Sequence, residues 1–229
     1  MRIGTWNLEA RWNTLLAERL ALLQGHNCDV WLLTEVSPKA KDAENKIAGF
    51  HCHLSTAVMN DNGKKQHWAA VLSRDAMEPL DDPHTASAAA RVNEITFCSS
   101  ILPWKGCGSY WPGPGSNHAK KTEAAIAELL EELPKSGLVW GGDWNHALKG
   151  KEWAGSRGGR DHILAAIKTL KLKVPTEGLP HRLESCGFSI DHIAVPTGWN
   201  VKSAERIVAE SEGKRLSDHD AYVVEVHPQ

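Results

Sequence analysis

The chain has 229 residues, 41% hydrophobic and 24% charged, with 26 Lys and Arg against 28 Asp and Glu for a net charge of −2. This is the composition of a globular protein, not a disordered one. The charge balance excludes a strongly cationic tail as a means of holding a polyanion, so any grip on phosphates must come from a local patch and a bound cation. No apolar run approaches the ~18 residues of a membrane span, and the opening MRIGTWNLEA has no apolar signal core. The five cysteines are odd in number and nowhere spaced Cys-x-x-Cys. They argue against a disulfide framework or a structural zinc, and for a reducing, cytoplasmic setting away from membranes.

Residues 3–8 read as a first strand, and 12–25 as a helix with Trp12, Leu15, Leu16, Leu20 and Leu23 on one face. Residues 29–34 (DVWLLT) form a buried-type strand that ends on Glu35, and 38–49 have helical potential. Strands follow at 50–54 and 68–72 around a turn at 60–63, then at 92–102. A Gly/Pro/Trp-rich loop covers 103–117, and a helix covers 118–133 with Ile126, Leu129, Leu130 and Leu133 on one face. A strand at 138–141 runs into Gly142-Asp143-Trp144-Asn145; Asp161 is placed to cap a helix over 161–171; the last strands are 189–195 and 221–226. No linker or repeat divides the chain, so 1–229 is read as one α/β domain. Ten Trp stand against three Phe and two Tyr, several beside Gly, Pro or Lys, as at Trp104, Trp111 and Trp153. Loop packing is the default reading for each, and stacking on bases the alternative.

Thr5-Trp6-Asn7, Thr34-Glu35, Gly142-Asp143-Trp144-Asn145 and Ser217-Asp218-His219 sit at strand ends, and Ile190-Asp191-His192-Ile193 begins or lines a strand. Groups at strand ends can project into one crevice. The inventory is carboxylates (Glu35, Asp143, Asp191, Asp218), amides (Asn7, Asn145) and one imidazole (His219). It suits a hard, oxygen-ligated cation such as Mg²⁺ or Mn²⁺ better than zinc, and attack by water on a phosphorus ester. A carboxylate on one nitrogen of His219 would fix its tautomer and raise its pKa, and Asp191 is the better candidate because Asp218 is wanted for the metal. His192 alternates away from Asp191 and should face the other side of its strand. Each motif alone is common; their joint order is not.

In that order the motifs resemble the endonuclease/exonuclease/phosphatase superfamily, over nearly the whole chain from Asn7 to His219. The resemblance implies a four-layer α/β/β/α sandwich with two packed mixed β-sheets. It implies Glu35 as the principal Mg²⁺ ligand, Asp218 as a further carboxylate of the metal site, Asn7 as an amide serving metal and phosphate, and Glu9 as a carboxylate near the metal. It further implies Asp143 as the residue that orients or deprotonates the attacking water or binds a second metal, Asn145 as a phosphate-contacting amide, and His219 as the imidazole over the scissile phosphate with Asp191 orienting it. One departure stands out. Many relatives carry a His or Tyr on the strand before the long loop, where this chain reads Cys98-Ser99-Ser100-Ile101-Leu102. His118, at the expected helix start, is a substitute imidazole or simply a solvated helix-terminal residue.

The superfamily divides by substrate, and fold alone does not choose. The metal and base residues are all present, which counts against a third reading as a non-catalytic phosphate binder. Basic residues follow GDWN directly, namely Lys149, Lys151, Arg157 and Arg160, in a stretch read as a Gly-rich loop able to track a phosphate backbone. The leading expectation is therefore a Mg²⁺-dependent phosphodiesterase, a nuclease on DNA. A phosphomonoesterase acting on a small phosphorylated metabolite is the alternative.

Overall fold

The computed structural model describes residues 1–9, 15–42, 44–59 and 65–228. Its first half runs β1 (Arg2–Asn7), α1 (Leu16–Gly25), β2 (Val30–Val36), β3 (His51–Leu54), β4 (Ala57–Met59), β5 (Lys65–Ser73), β6 (Glu78–Pro79), β7 (Ser87–Val92) and β8 (Ile95–Ser100). Then come α2 (His118–Glu132), β9 (Leu138–Asp143), α3 (Arg157–Thr169), β10 (Leu172–Lys173), β11 (Asp191–Pro196), β12 (Asn200–Ile207), β13 (Glu210–Ser211), β14 (Lys214–Arg215) and β15 (Ala221–His227).

One sheet has the order β12-β15-β1-β2-β5-β3, with β4 also on β5; the other has the order β10-β11-β9-β8-β7-β6. Both are mixed, with β1–β2 and β8–β9 parallel and their other neighbours antiparallel. The period-2 alternation of each strand divides its apolar side chains between two cores. On β2, Val30 and Leu32 meet Phe97, Val139 and Ile193 of the facing sheet, while Trp31 and Leu33 turn outward to Leu22 and Leu23 of α1. On the other outer face, Ala125, Ile126 and Leu129 of α2 and Ile163, Ala166 and Ile167 of α3 cover Cys98 and Trp140. The result is the expected α/β/β/α sandwich. Trp6, Trp31, Trp140 and Trp144 are fully buried, so the indoles serve chiefly as core volume.

Chain direction then positions the site. β1, β2 and β9 end at the same edge, delivering Asn7, Glu35 and Asp143 there. β11 pairs antiparallel to β9 and so begins at that edge, with Asp191 opposite Asp143. β15 pairs antiparallel to β1, which brings the 217–220 segment ahead of it to Asn7. Gly142 makes the close approach possible: its φ is 124°, and a Cβ there would lie 2.2 Å from the Ser100 carbonyl oxygen.

Several expectations change. The stretch 38–49 forms no α-helix among its described residues, only a 3₁₀ turn at Pro38–Ala40; Asn45 and Ala48 at φ 58° and 53° interrupt helical geometry. The strand expected over 92–102 is the end of a hairpin instead. β7 closes at Val92, Asn93 turns at φ 53°, and β8 starts at Ile95. β7 escaped notice because Ser87–Val92 is rich in alanine, a poor strand former. β12 is an edge strand with weak alternation. The stretch 155–160 is not wholly a loop: α3 starts at Arg157 and is capped by Ser156, whose Oγ accepts from Gly159 N, so Asp161 is not the cap. Gly159 is needed there because a Cβ would lie 2.3 Å from the His146 ring. Helix α1 starts at Leu16 after Leu15 at φ 62°. Trp12 and the turn expected at 60–63 lie outside the described residues.

His84, His146 and His192 are buried, and burial pushes each down to about 4. Each is neutral when folded, whereas the unfolded chain takes up their protons near the ordinary histidine value of ~6.5. Stability from these three is thus fully present above about 6.5 and is lost as the pH falls from there toward 4. Urea unfolding across that range should show the midpoint dropping steeply, and His192→Phe should flatten the drop. Because the raised acids Asp143 and Glu35 act in the opposite sense, the variant decides it: a pH dependence that His192→Phe leaves unchanged would contradict the burial of a neutral imidazole there.

Candidate active site

Asn7 is the hub. Its Nδ2 donates one hydrogen to Glu35 Oε1 at 3.1 Å and the other to Asp143 Oδ2 at 2.9 Å, while its Oδ1 accepts from the Glu9 N–H at 2.8 Å. Both amide hydrogens are committed and the group is buried, so it fixes two carboxylates from two different sheets while Oδ1 keeps a second lone pair. Glu35 reaches inward because its backbone turns left-handed, φ 52°, within β2. Glu9, also left-handed at φ 54°, accepts the Asp218 N–H on Oε2 at 3.3 Å. Asp218 is exposed at the mouth.

The second cluster is the imidazole. His219 Nδ1 lies 2.9 Å from Asp191 Oδ2, and its Nε2 lies 3.8 Å from Asp143 Oδ2. Side-chain exposure is 14% for His219 and 1% for Asp191, so water barely screens the pair. Burial alone would lower the His219 pKa, but Asp191, Asp143 and Asp218 outweigh it and hold the ring well above the ordinary value, as an imidazolium. Burial, opposed by His219 and reinforced by Asp191, pushes Asp143 up to about 7. Burial also raises Glu35, with the Asn7 amide and His219 acting against the rise. Asn145, at φ 52°, donates its N–H to Asp143 Oδ1 at 3.0 Å and one Nδ2 hydrogen to Leu102 O at 3.0 Å.

The eight residues expected at the centre therefore meet at one edge. The four expected cations do not behave alike. Lys151 and Arg157 are exposed; Lys149 Nζ pairs with Glu177 Oε1 at 3.2 Å on the surface. Arg160 is turned inward, donating to Gly150 O at 2.9 Å and facing the nearly buried Glu152 carboxylate at 3.6 Å. His118 is not at the centre: Nε2 lies 2.8 Å from Pro103 O and Nδ1 lies 2.9 Å from Ser156 Oγ, so it staples the long loop to the cap of α3. His192 faces away from the site, its Nε2 on His146 O at 2.9 Å.

Sequence reasoning missed the brace behind His219. Asp220 is buried, 2.7 Å from Arg215 Nη2 and 3.5 Å from Arg206 Nε. Arg215 donates in turn to Ser217 O and His219 O, each at 3.2 Å. Trp6 Nε1 donates to the same His219 carbonyl at 3.2 Å. An Asp directly before an apolar strand was the available signal.

Asp143, Asp191 and His219 present ligand-type atoms within 4.8 Å of one another. Nδ1 of His219 is already taken by Asp191, and imidazole is a poor partner for hard cations, so the oxygens of Glu35, Glu9, Asp218 and Asn7 are the better cation donors.

The profile of the Endonuclease/Exonuclease/phosphatase family matches residues 4–219, and the chain belongs to that family of phosphoester hydrolases, whose members generally depend on a divalent cation. No curated protein sequence matches the chain. Among solved structures it is similar to an endonuclease/exonuclease/phosphatase family protein from Leptotrichia buccalis C-1013-b, at 17% identity, TM-score 0.69 and 99% coverage of both chains. It is similar to the endonuclease domain of TRAS1, a telomere-specific non-LTR retrotransposon, at 18% identity and TM-score 0.60, covering 100% of this chain and 99% of that one. It is also similar to ANGEL2, a 2′,3′-cyclic phosphatase, at 12% identity and TM-score 0.56, covering 98% and 94%. At these identities the likeness is one of fold.

If Asp191 acts through His219, replacing either should slow hydrolysis by about 10²–10⁴, as for a lost positioned acid–base group. The His219→Ala, Asp191→Asn double variant should be scarcely slower than the slower single one, because the two form a unit. Steady-state rates on one substrate decide it, and independent, additive losses would separate the pair.

Proposed function

We propose that this chain is a Mg²⁺-dependent phosphodiesterase, with Mn²⁺ as a substitute cation, and that its substrate is DNA. The observation that carries the reading is the position of Asp143 Oδ2, 2.9 Å from Asn7 Nδ2 and 3.8 Å from His219 Nε2. A carboxylate pushed up to about 7, next to an imidazolium, is suited to taking a proton from water at neutral pH. His219, held charged by Asp191, stabilises negative charge as it grows on the phosphoryl oxygens. Asn145 supplies a side-chain amide beside it. A bound cation would neutralise the ester's charge; Glu35 and Asp218, with Asn7 and Glu9, are the residues that would hold it. The fit rests on the donor set, oxygen-rich and short of positive charge, and on the burial of Glu35. The free cysteines accord with a cytoplasmic location, two of them, Cys28 and Cys98, pushed up to about 12 by burial and so inert as thiolates.

A nucleic-acid substrate is supported by the endonuclease among the similar structures and by Lys149, Lys151 and Arg157 on the segments after GDWN. One observation favours the second reading, a small phosphate ester: Arg160 is spent on Glu152 and Gly150, which thins the basic track. The surface pair of Lys149 is no such obstacle, since exposed ion pairs are worth little and exchange readily for a phosphate.

Chelation by EDTA should abolish hydrolysis of bis-p-nitrophenyl phosphate, and Glu35→Gln should weaken the response to Mg²⁺ titration while the fold persists; full activity in excess EDTA would sink the metal reading. Replacing Lys149, Lys151 and Arg157 together with Ala should weaken DNA binding evenly across sequences. It should also lower the salt slope by about 0.9 per lost duplex phosphate contact, with the small diester barely affected. Unchanged DNA binding in this variant would move the small-ester reading ahead.

A further inference from the structure

The loop between β10 and β11 is an ordered element of the site wall. His181 N donates to Gly187 O at 2.8 Å, Ser189 N to Leu179 O at 3.0 Å, and Tyr222 Oη to Pro180 O at 3.0 Å. It is lashed to the loop that carries His219 by two independent routes. Arg182 Nε donates to Asp218 O. Arg206 Nη1 donates to His181 O at 2.8 Å while its Nε pairs with Asp220, the carboxylate that holds Arg215 on the His219 carbonyl. The backbones of His181 and His219 thus hang from one ionic brace.

The His181 ring is equally constrained. It is 6% exposed and packs on Trp153 with centroids 4.7 Å apart. Nδ1 accepts the Leu183 N–H at 3.1 Å, so the neutral ring carries its proton on Nε2. Nε2 has no partner among the described residues and is not sealed from solvent. Burial lowers the pKa of His181, with Asp191 acting to raise it and His219 to lower it, so the ring is a neutral donor at pH 7. A fixed, uncharged N–H on a loop tied to the loop of His219 is suited to one task. It adds a hydrogen bond to an incoming anion without adding a second cation to compete with the metal.

We infer that His181 is a second imidazole of the catalytic centre, donating its Nε2–H to a non-bridging oxygen of the phosphoryl group under attack. The inference rests on the phosphodiesterase reading above. Trp153, tilted at 60° against the ring, and Leu183, which holds Nδ1, are its positioning residues. The element that supplies this donor is the loop ahead of β11, not the strand ahead of the long loop, where the sequence offers only Cys98, Ser99 and Ser100.

The test compares the parent, His181→Ala and His181→Gln on bis-p-nitrophenyl phosphate with saturating Mg²⁺, together with thermal midpoints. Gln places an amide N–H near the Nε2 position. Loss of one transition-state donor should lower kcat of His181→Ala by about 10²–10³-fold with KM within about threefold, and His181→Gln should recover most of the rate. Two results overturn the inference: a His181→Ala variant as fast as the parent, or a His181→Gln variant as slow as His181→Ala with both midpoints depressed, the pattern of simple packing. A parent that fails to hydrolyse the diester at all overturns the phosphodiesterase reading itself, and the inference with it.

Discussion

Asp143 and Asp191 are ladder partners on adjacent antiparallel strands, both buried. Like charges directly opposite one another in a sheet are destabilising, and more so where water cannot screen them. Everything around the site answers that repulsion. The Asn7 amide donates to one carboxylate, the His219 imidazolium bridges toward both, and one proton is pulled upward in affinity on Asp143. The repulsion that would expel one acid from a structural sheet here keeps an imidazole charged and raises the proton affinity of Asp143.

Holding His219 in that role requires more than the two acids. A charged ring 14% exposed must be kept from swinging to solvent. Its carbonyl is pinned by Trp6 and Arg215 and its N–H by Ser217, whose hydroxyl also donates to Asn7 O at 2.6 Å. Asp220 stands at the back of this lattice. The two sheets therefore meet chemically as well as through their apolar faces: Asn7 from one sheet reaches Asp143 in the other, and Ser99 Oγ donates to Leu33 O across the same gap.

The parts of this that were legible in the sequence share a physical reason. Apolar strands that end on Asn, Glu or Asp signal themselves by pattern, and their common orientation in a mixed sheet then makes the ends converge. Asn7, Glu35, Asp143, Asp191 and His219 were readable on those terms. The four-layer architecture was legible through resemblance. Ser87–Val92 was not readable because alanine carries no strand preference, and its burial comes from the neighbours on either side. The start of α3 was misplaced because two adjacent glycines, Gly158 and Gly159, imitate a loop where the real demand is room for the His146 ring. His181 and Asp220 lie in loops, Arg206 on the edge strand β12 and Arg215 on the short strand β14. Which of them touch is decided by tertiary packing, which no spacing rule encodes.

Glu9, Glu35 and Asn145 all hold left-handed backbone conformations at the site edge. Asn tolerates this region, but for Glu9 and Glu35 the conformation costs on the order of 1 kcal/mol or more each. Three of the left-handed non-glycine residues of the chain are thus gathered at this one edge. Gly at positions 9 and 35 would relieve that backbone cost, but it would also remove the carboxylates that accept from Asp218 N and Asn7 Nδ2, so the edge keeps its acids only by holding its backbone under tension.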